Sequence, residues 1–278
     1  MLRLFVLLLL SVSVALPLWA APPSSFSKSK RILAELYQPN QVSFYCDCEY
    51  QAQGKKLVPQ WQDCGFSPRK NAKRAARIEW EHVVPAWAFG HQRQCWQEGG
   101  RKACHKDKVF RSMEADMHNL VPAIGEVNGD RSNYSFAQLE GEPRVYGRCD
   151  MEVNFKARKV EPPAARRGDI ARTYFYMRDQ YGLNISSKQV QLFNAWHKQD
   201  PVDSWELERN RLIEAVQGNS NPYVVEMEIT STSTFEQTNP VADTVSGTPA
   251  QGQAQEEEQQ SSLAKQLAQQ ILRKLGEL

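Results

Sequence analysis

Residues 77–87 read RIEWEHVVPAW, and within them the segment from Trp80 to Pro85 is apolar and β-branched around two polar residues, Glu81 and His82. The composition predicts a strand that runs into Pro85. A carboxylate prefers hard cations such as Mg²⁺, and a histidine can take up a proton near neutral pH. Adjacent residues of a regular strand point to opposite faces, so a shared site requires a bulge or a strand end, which Pro85 makes possible.

A second polar segment, residues 118–131, reads HNLVPAIGEVNGDR. Pro122 suits the first turn of a helix that ends near Gly129, and such a helix would carry Asn128. The carbonyl oxygen of this asparagine could complete the first coordination shell of a metal ion. The motif HExxH is absent from the chain, which argues against a zinc peptidase.

The first twenty residues indicate export. A single basic residue, Arg3, precedes a continuous apolar run, which Pro17 interrupts before the small residues Ala20 and Ala21. This is the layout of a secretory signal peptide (residues 1–20) cleaved near Ala20. The alternative, a transmembrane anchor, is disfavoured because the apolar run is short for a membrane span. We expect the mature protein in the periplasm or outside the cell.

Export favours disulfide bonds between the cysteines, because disulfides form in an oxidising compartment. An even count of six predicts three disulfides, for which the sequence allows 15 connectivities. A zinc site is the alternative, but the first two cysteines are closer in sequence than the usual pair of a zinc knuckle. The six cysteines are Cys46, Cys48, Cys64, Cys95, Cys104 and Cys149.

The chain has a formal net charge of +2, and its cations are unevenly distributed. Residues 65–78 contain five cations and no acid: Arg69, Lys70, Lys73, Arg74 and Arg77. Such a run is usually a solvated face, but its position just before Glu81 and His82 favours contacts with phosphates. Phosphate contacts carry no sequence information and weaken as salt rises. A second basic group, Arg166, Arg167 and Arg172, could extend this surface.

Helical spacing dominates the rest of the chain, and no repeat is visible. The pattern predicts one strand at 42–45 and helices at 29–36, 113–119, 169–178, 187–197 and 205–216. We assign residues 21–228 to a globular domain and residues 229–255 to a disordered linker rich in Ser, Thr, Gln, Pro and Gly. Residues 256–278 regain an apolar stripe and predict an amphipathic helix that docks an unknown partner, or a frayed tail. The members of the stripe are Leu263, Leu267, Ile271, Leu275 and Leu278.

A series of motifs, taken in order, resembles the bacterial endonuclease I family of periplasmic or secreted nonspecific nucleases. The resemblance covers roughly residues 24–225 and rests on FYC-x-C, RIEWEHVVPAW, GGRK, MEADMHNL, GEVNGDRSN and ARTYFYM. It implies a helix-rich, disulfide-stapled α+β fold, a single domain containing the ββα-metal (His-Me finger) motif. It also implies a soluble monomer that cuts DNA, and RNA as well, and leaves 5′-phosphate ends.

The resemblance assigns roles to four residues. His82 matches the general base, Glu81 and Asn128 match the ligands of one Mg²⁺, and Arg101 matches an arginine that holds phosphate. Ca²⁺ or Mn²⁺ could substitute for Mg²⁺. Glu79, the rival ligand on the same strand face as Glu81, is expected to be structural. The alternative function is an exported DNA-binding or DNA-uptake protein that has lost catalysis.

The chain departs from the family pattern, which usually has eight cysteines. One is missing where Leu207 stands and another near Glu226, so one whole disulfide is absent. We therefore expect the C-terminal helix of the domain to be held less firmly. The tail has no recognised counterpart in the family, and its deletion is expected to leave catalysis nearly intact.

Overall fold

The computed structural model describes residues 22–225 and 249–276. The signal peptide assigned to residues 1–20 lies outside these ranges. So do residues 229–248 of the assigned linker. Across the described ranges, no helix has both the length and the apolar character needed to cross a membrane.

Helices make up most of the described chain, and several begin at a residue whose side chain caps the first turn. Ser25, Asp107, Ser186 and Asp203 each accept a hydrogen bond from the backbone N–H three residues ahead. The helices are α1 (Phe26–Leu36), α2 (Trp61–Cys64), α3 (Ala72–Ala75), α4 (Ala86–Gly90), α5 (Gln94–Cys104), α6 (Lys108–Ala115), α7 (Gly125–Arg131), α8 (Arg167–Tyr181), α9 (Ser187–Gln199), α10 (Ser204–Gln217) and α11 (Pro249–Lys274).

The strands are short and form three small sheets within the described residues. They are β1 (Tyr50–Gln53), β2 (Lys56–Pro59), β3 (Ile78–His82), β4 (Leu120–Ile124), β5 (Ser135–Phe136), β6 (Glu152–Asn154) and β7 (Lys159–Glu161). Strands β1 and β2 form a hairpin, β3 pairs with β4, and the third sheet has the order β5-β7-β6. Helix α7 follows β4 directly and contacts both β3 and β4. The expected helix-rich α+β fold with a ββα motif is confirmed.

Two predicted elements near this motif are wrong. Pro122 does not start a helix; it lies in β4 opposite Trp80, and the helix begins at Gly125. A two-stranded sheet leaves β4 a free edge, where proline's missing N–H is tolerated. The strand predicted at 42–45 is replaced by turns, in which the Ser43 N–H donates to the Cys48 carbonyl. The two disulfides that begin at Cys46 and Cys48 constrain this segment.

The remaining helix predictions agree with the structure to within a few residues at most ends. Those at 29–36, 187–197 and 205–216 correspond to α1, α9 and α10. The helix predicted at 169–178 lies within α8, where Asp169 occupies the first turn and Arg166 the cap position. The helix predicted at 113–119 is divided, because α6 ends at Ala115 and a 3₁₀ turn follows at Met117–Asn119.

Three disulfides form, as predicted, and no cysteine of the described residues is free. The bridges are Cys46–Cys149, Cys48–Cys64 and Cys95–Cys104, with sequence separations of 103, 16 and 9 residues. All six cysteines lie between residues 46 and 149. The helices α8, α9 and α10 therefore have no disulfide to the rest of the domain.

Helix α11 packs on the chain's own helices α1 and α10, and the three share a hydrophobic cluster. From α11 this cluster takes Ala264, Ala268, Ile271 and Leu272. They contact a surface formed by Ile32, Leu33 and Leu36 of α1 and by Leu212, Ile213 and Val216 of α10. Lys274 Nζ adds an ion pair with Glu35 at 2.7 Å. The helix begins at Pro249, within the segment assigned to the linker.

Deletion of residues 229–278 is expected to lower the free energy of unfolding by about 3 kcal/mol, because burial of a large aliphatic side chain contributes about 1.5–3 kcal/mol. DNA cleavage at 25 °C should stay nearly intact, because the hydrophobic cluster includes none of the four residues given catalytic roles. Thermal melts of the mature and truncated proteins would measure the loss. Ile271→Ala in the full chain should reproduce part of it, whereas Leu263→Ala, at a position 57% exposed, should not. Equal melting temperatures for the mature and truncated chains would contradict the prediction.

Candidate active site

Strand β3 pairs with β4 residue by residue, from Ile78 opposite Ile124 to His82 opposite Leu120. This regular register contains no bulge, so Glu81 and His82 point to opposite faces. The strand ends at His82, and Val83 and Val84 connect it to Pro85. The site is therefore built from the two faces of one strand end.

Glu81 is buried, and its Oε1 lies 3.1 Å from Arg131 Nη1. That oxygen nevertheless accepts no hydrogen bond of acceptable geometry. Burial raises the pKa of Glu81 to about 7, although the Arg131 guanidinium acts in the opposite direction. Glu81 thus offers a buried carboxylate oxygen that lacks a hydrogen-bond donor.

Glu79 lies on the same face of β3, and its carboxylate is fully engaged. It accepts hydrogen bonds from Arg74 (3.0 and 2.7 Å), from Arg77 (2.9 and 2.7 Å) and from Asn128 Nδ2 (3.0 Å). Burial alone would raise the pKa of Glu79, but the arginine hydrogen bonds outweigh it and lower the pKa. Gly129 permits the close approach of Arg74, since a Cβ there would lie 2.0 Å from Arg74 Nη1. This pattern suits the structural role expected of Glu79.

Asn128 lies in α7, which packs against β3. A carboxylate can only accept, so the group that faces Glu79 must be the amide NH₂. The carbonyl oxygen of Asn128 is then the atom left for another ligand. Sequence reasoning did not find this contact, which joins residues 49 positions apart.

Glu81 and Asn128 together fit a hard divalent cation better than a zinc ion. They supply one carboxylate oxygen without a hydrogen bond and one amide carbonyl oxygen. Within residues 22–225 and 249–276, no group of three His, Cys, Asp or Glu side chains is arranged to hold a metal. Mg²⁺ is commonly bound by one or two protein carboxylates, with water and substrate phosphate as its other ligands.

On the opposite face of β3, His82 Nε2 lies 2.9 Å from the carbonyl oxygen of Glu114. A carbonyl can only accept, so Nε2 carries the proton and Nδ1 holds the basic lone pair. The ring packs against Phe26 and Phe89, with centroids at 4.7 and 6.1 Å. Burial lowers the pKa of His82 to about 4, and the imidazole is therefore neutral at neutral pH.

Arg101 reaches the same region from α5. It follows a kink at Gly99 and Gly100, where Gly100 adopts a left-handed φ of +62° that favours glycine. Arg101 Nε donates to Glu114 Oε1 at 2.7 Å, and its side chain is 47% exposed. Glu114 thus holds His82 through its backbone carbonyl and Arg101 through its carboxylate. Neither contact was predicted from the sequence.

Arg131 links the two faces. It is fully buried in the last turn of α7, where it pairs with Glu81 and donates to the backbone carbonyls of His82 and Val83. Its guanidinium also lies over the Phe136 ring, 4.7 Å from the centroid. On one side, Asn128 contacts Glu79, which shares a face of β3 with Glu81. On the other side, His82 and Arg101 both contact Glu114.

The family model for Endonuclease I matches residues 26–228. This chain belongs to the Endonuclease I family. It is 56% identical over 216 residues to a "Periplasmic deoxyribonuclease" of Aeromonas hydrophila, an alignment that covers 77% of this chain and 91% of the relative. It is also 53% identical to an "Extracellular deoxyribonuclease" of the same organism, covering 81% of this chain and 98% of the relative. An "Endonuclease-1" of Buchnera aphidicola subsp. Acyrthosiphon pisum (strain APS) is 50% identical over 200 residues, covering 72% of this chain and 80% of the relative.

The Endonuclease I match ends before the tail. Helix α11, which begins at Pro249, lies beyond the matched residues 26–228. It packs on α10, the helix that carries Leu207, where the family resemblance implied a cysteine. In this Endonuclease I chain a helix from outside the family match therefore supports an element that has no disulfide.

The basic run of this Endonuclease I chain is partly neutralised by Glu79, which directly follows the run, and by Asp130 of α7. Arg69 makes a two-pronged ion pair with Asp130, while Arg74 and Arg77 share Glu79. The two lysines of the run, Lys70 and Lys73, are exposed, and no ion pair involves them within the described part of the chain. They remain the cations of the run best placed to meet a phosphate.

The second basic group does not extend this surface as suggested. Arg172 is completely buried and pairs with Glu206 at 2.6 Å. Arg166 is paired with Asp47, and Arg167 with Glu161. The suggestion is wrong because these arginines hold helices α8 and α10 and the loops around them in place. Asp169, three residues from both Arg166 and Arg172, is a local partner of the two arginines. The pairings with Asp47 and Glu206 join distant segments, which the sequence does not indicate.

Proposed function

We propose that this protein is an exported, Mg²⁺-dependent endonuclease that hydrolyses phosphodiester bonds of DNA and of RNA, without sequence preference, and leaves 5′-phosphate ends. The observation that carries the proposal is His82, a neutral imidazole whose Nε2–H is fixed on the Glu114 carbonyl. Its other nitrogen, Nδ1, is the base. Family membership and deoxyribonuclease relatives support the substrate.

His82 acts on the attacking water. Its Nδ1 takes one proton as the water oxygen forms a bond to phosphorus, and the bond from phosphorus to the 3′-oxygen breaks. The 3′-oxygen then takes a proton from solvent, and the phosphate stays on the 5′ end of the other fragment. The Glu114 carbonyl stabilises the imidazolium, because the Nε2–H bond strengthens when the ring becomes charged.

Two further groups handle the negative charge of the phosphate. Arg101, half-exposed and steadied by Glu114, contacts a non-bridging phosphate oxygen. Glu81 and Asn128 would hold Mg²⁺, with Ca²⁺ or Mn²⁺ as substitutes. When bound, the ion supplies charge stabilisation to the leaving oxygen. Lys70 and Lys73 contact phosphates nearby, which explains why binding should not depend on sequence.

Export is part of the proposal. Two of the relatives carry the words periplasmic or extracellular in their names. The three disulfides of this chain require an oxidising compartment to persist. The mature protein, cleaved near Ala20, would therefore act as a monomer in the periplasm or outside the cell, away from cytoplasmic DNA.

Oxidatively folded mature protein is expected to convert supercoiled plasmid to nicked and linear forms, and then to fragments, in Mg²⁺ but not in EDTA. An RNA transcript should be degraded under the same conditions. The fragments should accept a 5′ label from polynucleotide kinase only after phosphatase treatment, which identifies 5′-phosphate ends. Plasmid that is bound but left whole would instead favour the DNA-binding or uptake function, and cleavage in EDTA would refute the metal requirement.

A further inference from the structure

The turn between β6 and β7 forms an exposed tip that carries an aromatic ring and three cations. Its sequence, residues 155–159, is FKARK. Phe155 is 41% exposed, although a phenylalanine in a soluble domain is usually buried. Lys156, Arg158 and Lys159 are exposed around it. The site residues described above do not include any part of this tip.

Phe155 belongs to a row of side chains in which two adjacent aromatic rings are flanked by an arginine at each end. The Arg69 guanidinium lies over its ring, 4.4 Å from the centroid. The Tyr134 ring meets it edge-on at 6.5 Å, and Arg158 lies 5.4 Å from the Tyr134 centroid. These contacts fix the orientation of the Phe155 ring, while much of its surface still faces solvent. A ring held in this way is a rigid platform for another flat group.

The tip is joined to the helix that carries Asn128. Arg69 donates to both carboxylate oxygens of Asp130, at 3.0 and 2.9 Å, and Asp130 is two residues beyond Asn128 on α7. The Arg69 backbone N–H donates to Glu126 on the same helix at 3.0 Å. A nucleic acid strand leaving the site along α7 would therefore pass close to Phe155.

The acids near the tip neutralise its cations only in part. Glu142 accepts a hydrogen bond from Asn154, next to Phe155. Asp130 is shared by Arg69 and the Tyr146 hydroxyl, and Glu161 is paired with Arg167. Lys156 and Lys159, by contrast, have no ion-pair partner among residues 22–225 and 249–276. Together with Lys70 and Lys73 of the basic run, they give a polyanion an unneutralised surface.

We propose that residues 155–159 are a subsite for an unpaired nucleotide of the substrate strand, in which Phe155 stacks on the base and Lys156 and Lys159 contact the adjoining phosphates. The proposal rests on the nuclease function proposed above. Every base has a flat face, so stacking is tolerant of sequence and agrees with nonspecific cleavage. In a duplex the bases are stacked on each other, so only the phosphate contacts remain. The tip therefore favours single-stranded over double-stranded substrate.

Fluorescence anisotropy in EDTA, with His82→Ala protein to prevent cleavage, tests this subsite. The probes are a labelled single strand of DNA and a dumbbell duplex without free ends. Phe155→Ala should weaken single-strand binding about tenfold and duplex binding less than twofold, because only an unpaired base can stack on the ring. Phe155→Tyr should retain single-strand affinity. Equal losses on both probes, or no loss on either, would overturn the subsite.

The lysines should behave differently from the phenylalanine. Lys156→Ala/Lys159→Ala should weaken the binding of both probes. The slope of the logarithm of the binding constant against the logarithm of salt concentration should fall in magnitude by about 1.4 for the single strand and about 1.8 for the duplex. The matched control is Lys55→Ala/Lys56→Ala, at the exposed tip of the β1–β2 hairpin, where affinity should not change. If the wild type cuts plasmid while Phe155→Ala binds normally, only the subsite fails. If the wild type does not cut, the proposed function fails.

Discussion

His82→Ala is expected to lower the rate of plasmid cleavage by about 10²–10⁴-fold, the usual contribution of a general base. The imidazole is neutral at neutral pH, and its Nε2–H is committed to the Glu114 carbonyl, which leaves Nδ1 free to act as the proposed base. Alanine removes the proton acceptor but leaves Glu81, Asn128 and Arg101 unchanged. DNA binding should therefore persist while turnover is lost. Time courses of nicking, followed on gels in Mg²⁺, would give the ratio of rates.

A second histidine provides the control for this experiment. His91 lies on the surface at the end of α4, where its ring stacks on Trp87 with centroids 4.1 Å apart. His91→Ala should cut plasmid at close to the wild-type rate. Thermal melts of both variants would exclude unfolding as the cause of any loss. Full activity of folded His82→Ala would remove the central residue of the proposed mechanism.

The sequence predicted the individual residues of the site but not the hydrogen bonds that orient them. Glu81, His82 and Asn128 were identified from local pattern and family resemblance, and their segments do form a strand and a helix. The helix start was wrongly predicted at Pro122 because proline is tolerated both in a first helical turn and at a sheet edge. The bonds that orient the site connect residues 32 to 49 positions apart: His82 to Glu114 and Glu79 to Asn128. No local pattern encodes such contacts.

The sequence was least informative about which charged side chains are exposed and which are paired. Five cations with no acid among them predicted an open basic surface, yet three of them are paired with Glu79 and Asp130. Glu79 directly follows the run, but Asp130 is 61 positions from Arg69, so that pairing depends on the tertiary fold. A residue such as Arg131 could not be identified at all, because a fully buried arginine looks the same in sequence as an exposed one.

The tail shows a smaller error, in the composition of its apolar stripe. Periodicity correctly predicted a helix, and three members of the predicted stripe lie in or against the hydrophobic cluster: Leu267, Ile271 and Leu275. Leu263, however, is exposed, and the packed face also includes Ala264 and Ala268. Alanine contributes little to a hydrophobic pattern, yet its small side chain lets two helices approach closely. Periodicity therefore predicted the large side chains of the packed face but missed its alanines.

Loss of the Cys46–Cys149 bridge is expected to have the largest effect on stability. This disulfide closes a loop of 103 residues, for which the chain-entropy account gives a contribution of about 4.7 kcal/mol. Cys95–Cys104 spans 9 residues, and the same account gives about 2.6 kcal/mol. The long bridge also ties the segment after α1 to the segment before β6. Cys46→Ala/Cys149→Ala should therefore lower the free energy of unfolding more than Cys95→Ala/Cys104→Ala.

Urea unfolding of the mature wild type and of both double variants would measure the two losses in free energy of unfolding. Each variant removes both cysteines of a pair, so that no odd thiol remains. Thiol titration in denaturant without reductant should find no free thiol in the wild type or in either variant. Any free thiol in a variant would indicate that the remaining bridges had rearranged, which would invalidate the comparison. Equal losses for the two pairs would show that local packing around each bridge, rather than loop length, determines its contribution.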